Sequence, residues 1–278
     1  MANLSERIEE EILDALRNDE LSLPTLPEVA LKVRETAEDP EAGVVELAKV
    51  ISNDAAITAR IIKVVNSPLM RTSREIDNIQ MAVNRLGMTY SANLATGLAM
   101  EQMFQATSDV VDKMMRDVWS KSTEVAGICN VLCRHYTKLQ PDQAMLAGLM
   151  HKIGALPVLT YVESISNIPD SITLAHVIEK THPTLGTKIL EAWDFPSMIA
   201  KVPEEYIKFD RDSPKVDYVD IVMVANLQSL VGTGHPYTEM DWSSIKAFEK
   251  LGLDPNVDMN EAEDLSDEME AAMALLAQ

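Results

Sequence analysis

The sequence predicts an all-α protein, on three observations. Apolar residues recur every three or four positions along most of its 278 residues, only 5% of residues are aromatic, and Met is abundant at 16 while Gly is scarce at 10. Strands would want β-branched and aromatic runs at period two, a pattern this composition does not favour. A hydrophobic share of 46% over this length allows a substantial core, in one large or two modest domains.

Leu4, Ile8, Ile12 and Leu16 recur every four residues with Glu6, Glu9, Glu10 and Glu11 between them, which predicts an amphipathic first helix. Residues 1–20 are therefore set apart as a helix that docks on its own domain or offers a surface to a partner or a second copy. A second helix runs over 27–38 and stops at Asp39-Pro40, because the residue before proline is pushed out of the helical region. Short helices follow at 44–51, 55–66 and 78–86. Thr89 is placed to cap a helix reaching Phe104. The proline-free stretch 110–136 predicts one long helix, bent near Gly127. Helices are expected next at 141–151, 156–162 and 172–179, and then at 183–193, opening at Pro183 with Thr181 or His182 ahead of it.

The polar run Lys208-Phe209-Asp210-Arg211-Asp212-Ser213-Pro214 reads as a loose boundary. Residues 21–214 then form the main domain and 215–278 a shorter helical region with an acidic tail. In that region 216–231 is a helix ended by Gly232-Thr233-Gly234-His235-Pro236. A last helix carries the stripe Leu265, Met269, Met273 and Leu276. Beyond Lys250 there is no basic residue but eight acidic ones, some placed to suit the positive end of that helix.

With 24 basic and 44 acidic residues the net charge is −20. Such a surface repels phosphate backbones and anionic lipid, which argues against nucleic-acid and membrane partners. No basic stretch followed by an apolar core opens the chain, and no long apolar run occurs elsewhere, so a cytoplasmic location is expected. Cys129 and Cys133 share one helical face among apolar neighbours and read as a buried pair; a zinc site would need two further ligands, and His135 falls on another face. Burial also disfavours a reactive thiol. No Gly-x-Ser-x-Gly element and no phosphate-binding glycine loop is present.

The stretch with the most chemistry in it is Gly148-Leu149-Met150-His151-Lys152-Ile153-Gly154, where Gly154 is placed to end the helix and His151 sits near its C-terminus. It belongs to an ordered series. Leu23-Pro24-Thr25-Leu26-Pro27 comes first, then Ile51-Ser52-Asn53-Asp54-Ala55-Ala56-Ile57-Thr58-Ala59-Arg60, Val65-Asn66-Ser67-Pro68 and Ile79-Gln80-Met81-Ala82-Val83-Asn84-Arg85-Leu86-Gly87, and His182-Pro183-Thr184-Leu185-Gly186 with Trp193 closes it. Across 21–214 this succession resembles the HDOD family (HD-related output domain) of bacterial signalling proteins, degenerate relatives of the HD and HD-GYP phosphohydrolases. The resemblance implies an N-terminal helical lobe joined to a degenerate HD bundle, catalytically silent and regulatory.

In HD hydrolases a first His, a consecutive His-Asp pair and a distant final Asp hold a metal. By this resemblance those positions fall at Lys121, His151-Lys152 and Asn226, so one ligand of four survives. A lone neutral imidazole holds a divalent ion weakly, and two ammonium groups add repulsion. The His182-Pro183-Thr184-Leu185-Gly186 run is similar to the HPxxG element that supplies a further ligand in HD-GYP enzymes, but no Gly-Tyr-Pro signature accompanies it, and the corresponding region reads Lys201-Val202-Pro203-Glu204-Glu205-Tyr206. His182 is read as a structural residue near a helix start, with contact to a small ligand as its other reading. Lys121 and Lys152 pair with carboxylates such as Glu124, reach solvent, or line a pocket for a phosphate or nucleotide. The cavity itself is expected to persist as a shape, since its helices keep their apolar faces. No catalytic residue, no bound metal and no cofactor are expected. The function implied is non-enzymatic signal transduction through an unidentified protein partner. The alternatives are a metal-dependent phosphohydrolase rebuilt around His151 and His182, and a sensor of an anionic nucleotide in the vacated cavity.

Overall fold

The computed structural model describes the chain apart from residues 1–3, 19, 68–69, 71–74, 166–167, 257–262 and 277–278. Pro68, Asp258 and Glu261 thus lie outside the described residues. Among those described, the regular structure is α-helix with a few short 3-10 turns and no strand. After α1 (Leu4–Arg17), an N-terminal lobe holds α2 (Glu28–Glu38), α3 (Val44–Ile51), α4 (Ala55–Val65), α5 (Ile79–Leu86) and α6 (Met88–Met100). The bundle holds α7 (Asp109–Tyr136), α8 (Pro141–Met150), α9 (Ala155–Ser164), α10 (Ser171–Ala192), the short α11 (Ser197–Ala200) and α12 (Val202–Glu205), α13 (Tyr218–Ser229), α14 (Lys246–Leu251) and α15 (Glu263–Leu276).

Local chemistry sets most of these boundaries. The Asp54 carboxylate accepts the Ala56 and Ile57 N–H groups at the start of α4, and Asn78 accepts the Met81 N–H at the start of α5, each satisfying donors that have no partner inside the helix. Thr89 is not the cap of α6. The helix begins at Met88, after Gly87 at φ +85°, and a 3-10 turn over Glu101–Met103 follows its end at Met100. Asp170 caps α10 by accepting the Ile172 and Thr173 N–H groups.

Two helices expected around Pro183 are one. α10 runs unbroken through it, although a proline in a helix interior leaves the carbonyl four residues back, that of Glu179, without its donor. Leu174, Val177 and Ile178 before the proline and Leu185, Ile189 and Leu190 after it are all buried, so packing on both flanks outweighs the broken bond.

α7 is the axis of the bundle, touching α8, α9, α13 and α15, and every residue from Ser122 to Cys133 except Glu124 is buried. It is continuous past Gly127, whose role is close approach: a Cβ there would lie 2.8 Å from the Met273 backbone nitrogen of α15. Met269, Ala272 and Leu276 seat α15 in the core, with Leu265 and Met273 partly buried. Cys129 and Cys133 are free and buried on α7, and burial pushes the Cys129 thiol well up. α1 docks on α10 with Ile8 and Ile12 fully buried and Leu16 partly so, while the Leu4 side chain lies outside the described residues.

The polar run at Lys208 to Pro214 is fastened rather than loose. Arg211 donates to Glu205 and Asp220 at 2.8 Å each and to Asp217 at 2.5 Å. Lys201 adds a bond to Asp217 at 2.8 Å, and Lys250 one to Asp220 at 3.2 Å. The Asp220 side chain is only 1% exposed, so three cations offset three carboxylates along the stretch read as a loose boundary. α13 beyond it is buried from end to end against α7 and α8, inside the same core as the residues before the junction. One described stretch, Pro141–Ser164, is long and apolar enough by composition to cross a membrane, and 83% of its most apolar window is buried inside the protein.

Candidate functional site

α8 ends at Met150, and a turn over His151 to Gly154 leads into α9. Gly154 is there for proximity rather than to stop a helix. A Cβ on it would lie 2.1 Å from the His182 carbonyl oxygen and 2.5 Å from the Gly186 nitrogen, so the start of α9 abuts the middle of α10. This contact brings His151 and His182 into one buried pocket. His182 therefore lies mid-helix and not near a helix start.

Both imidazoles are 0% exposed. His151 Nδ1 donates to the Gly148 carbonyl at 2.6 Å, which leaves a bare lone pair on Nε2 with no hydrogen-bond partner among the described residues. His182 Nε2 meets the Tyr206 hydroxyl at 3.2 Å, and its Nδ1 is likewise without a partner there. The Tyr206 ring, just past α12, sets its edge against His151 with centroids 5.0 Å apart at 86°, and lies 5.8 Å from His182. The cavity expected to persist at this position is instead closed from solvent, with a phenol ring packed against both histidines.

The electrostatics keep all three groups neutral. Burial, and then the Lys152 ammonium, push His151 down to about 3, and the same causes hold His182 well below the usual imidazole range. Burial, and then Glu179, push the Tyr206 hydroxyl well up. A buried ion without a close partner is costly, so the neutral forms win.

The two lysines stand at the edge of this pocket with carboxylates of their own. Lys121 Nζ donates to Glu124 at 2.8 Å and to the Ser229 carbonyl at 2.9 Å. Lys152 Nζ lies 3.8 Å from Glu179 Oε2, and Glu179 Oε1 accepts the Tyr237 hydroxyl proton at 2.6 Å. Asn226 is buried on α13, one turn before Ser229. His235 accepts the Tyr237 N–H on Nδ1 at 3.2 Å; burial lowers its basicity, with Glu179 opposing and Lys152 and Lys121 adding to the effect. His151, Lys152 and His182 are thus brought together around Tyr206 and Glu179, while Lys121 is bonded to the end of α13, one turn from Asn226. Tyr206, Glu179, Tyr237 and His235 join them without any sequence reading having assigned them a role.

This donor set does not fit a resident divalent metal. The pocket offers two imidazoles and a phenol held protonated, its carboxylate is committed to Lys152 and Tyr237, and an ammonium stands beside His151 where a hard cation needs an anionic oxygen. Among the described residues no three His, Cys, Asp or Glu side chains come together in a way that could hold a metal ion. Among the described residues neither histidine shares a hydrogen bond with a Ser, Thr or Cys; the hydroxyl on His182 is that of Tyr206.

The comparisons agree with the architecture. A protein of Shewanella amazonensis SB2B, provisionally named a metal-dependent phosphohydrolase, is 32% identical and has a crystal structure that matches 98% of this chain and 99% of its own at a TM-score of 0.87. An HDOD domain protein of unknown function from Geobacter sulfurreducens shares the fold at 21% identity and a TM-score of 0.64, over 96% of this chain and 98% of its own. An uncharacterised protein of Treponema pallidum (strain Nichols) is 23% identical over 209 residues, 66% of this chain, and the match spans only 39% of that relative's length. The HDOD domain model matches residues 23–206, ending at the tyrosine that packs against the two histidines. On that match, which spans α2 to α12 with His151, His182 and Tyr206, the chain belongs to the HDOD domain family.

Proposed function

We propose that the protein is a non-enzymatic bacterial regulator that works through contacts with a protein partner in a signalling pathway, in the cytoplasm. The observation that carries this reading is the state of His151. It is the one metal-ligand position the HD pattern retains, and it is neutral, fully buried, and next to a lysine ammonium where the partner carboxylate of a metal would stand. A surface charged to −20 suits a protein partner better than nucleic acid or an anionic membrane. The name given to the Shewanella relative favours the alternative, a metal-dependent phosphohydrolase. A nucleotide sensor in the same pocket would require an anion to displace Glu124 and Glu179 from Lys121 and Lys152.

Elemental analysis of the protein purified without added metal, together with hydrolysis assays on generic phosphomonoesters and phosphodiesters, separates these readings. The regulator carries no stoichiometric Fe, Mn or Zn and cleaves none of the substrates. About one such metal per chain, lost in His151→Ala, would sink the proposal, since a bound transition metal at the native ligand count is the signature of a working site.

A further inference from the structure

A second concavity, of about 470 Å³, lies between the two lobes and shares no residue with the histidine pocket. Its walls include Arg85 at the end of α5, Tyr90 on α6, and Arg134 near the end of α7. The two arginines belong to different lobes. Each is exposed, and among the described residues each is held by one bond only: Arg85 Nη2 donates to the Met70 carbonyl at 3.1 Å, and Arg134 Nη2 to Asn130 Oδ1 at 3.1 Å. Among the described residues neither has a carboxylate within ion-pairing distance, although acidic residues outnumber basic ones 44 to 24. A guanidinium has five N–H donors in a fixed fork, so most of the donors on both remain available.

The one carboxylate in the wall is withdrawn. Asp142 is 4% exposed and its Oδ2 accepts from Asn93 at 2.7 Å. Arg134 lies close enough to the Tyr90 hydroxyl to favour its ionised form against the larger effect of burial. Two unpaired planar cations facing one cavity are the arrangement that recognises a tetrahedral oxyanion through paired, charge-assisted hydrogen bonds. The α6 backbone adds to it: the N-cap, Gly87, supplies no side-chain acceptor, and no acidic residue stands in the first turn.

We infer that this interlobe cavity binds a small phosphate-bearing molecule, its phosphate held between Arg85 and Arg134. Bound there, it ties α5 of the N-terminal lobe to α7 of the bundle. The site is independent of the histidine pocket, and the inference stands whether or not the protein is an enzyme.

Inorganic pyrophosphate is the probe, titrated into the intact protein at matched ionic strength by calorimetry and thermal shift. The wild type binds it saturably with a dissociation constant of about 1 mM or tighter, and with a rise in melting temperature. Arg85→Gln and Arg134→Gln each weaken binding about tenfold, the order expected for loss of one charge-assisted pair. Both residues are exposed, so the variants keep the wild-type circular dichroism and unliganded melting temperature. Lys121→Gln, at the histidine pocket, binds as the wild type does. Absence of saturable binding in the wild type overturns the inference. So does wild-type affinity in both arginine variants, or loss of binding in Lys121→Gln alone, which would move the anion to the histidine pocket.

Discussion

His151 carries a signature that can be read in solution. Its imidazole titrates near 6.5 in an unfolded chain and at about 3 in the fold, because burial and then Lys152 disfavour the charged ring. Between those values the unfolded chain binds a proton that the native one refuses. The contribution of His151 to stability is therefore fully present above the unfolded value and is lost as pH falls toward about 3. His182 shifts in the same direction. Denaturant unfolding followed from neutral to mildly acidic pH should lose stability at up to about 1.4 kcal/mol per pH unit for each histidine. His151→Gln should flatten that slope by about one proton. A wild-type slope unchanged in the variant would mean that the ring titrates normally. At this scale the sequence was legible where partners are near in the chain: the Lys121–Glu124 pair is three residues apart on one helix. Tyr206 meets His182 across 24 positions and Tyr237 meets Glu179 across 58, so only the packing of α10 against its neighbours could reveal them.

Among the elements, α1 offers the plainest test of how local pattern becomes packing. Its four-residue apolar period marked a helix with somewhere to dock, and the structure seats Ile8 and Ile12 on α10 at 1% and 0% exposure. Burying two such side chains contributes about 3–6 kcal/mol, a large share of the net stability of an ordinary domain. Deleting residues 1–20 should lower the melting temperature markedly and expose apolar surface on α10. If the truncated protein melts with the intact one, α1 is not part of the fold. The existence and order of the longer helices were legible, because amphipathic periods and caps are local, while the short α11, α12 and α14 have too few residues to show a period and were not read. The exceptions were those where distant packing overrode local signals: Pro183 is carried inside α10 by buried residues on both sides, and Gly127 and Gly154 mark helix crossings rather than a bend and a stop.

Over the whole molecule, the break in composition at Lys208 suggested a seam between two regions, and the structure fills it with ion pairs. Arg211 and Lys250 meet on the Asp220 side chain, binding the run before α13 to α14 after it. Arg211 reaches Glu205 and Asp217 across 6 positions and Asp220 across 9, and Lys250 reaches Asp220 across 30; none of these is a helical three- or four-residue spacing, so the run of polar residues read as slack. A buried carboxylate with two cationic partners is strongly destabilised when one is removed, so this junction holds the C-terminal helices in register with the rest.

The burial of α7 has a further consequence. A helix enclosed by four others cannot expose its amides to solvent by fraying or by the opening of any one neighbour. Residues 122–133 should therefore exchange hydrogen for deuterium only when the entire fold opens, and their exchange should equal the global unfolding free energy from denaturant. The amides of α1 and α15, each packed mainly on a single helix, should exchange faster and at smaller free energies. Exchange in 122–133 faster than in α1 would mean that the central helix opens on its own.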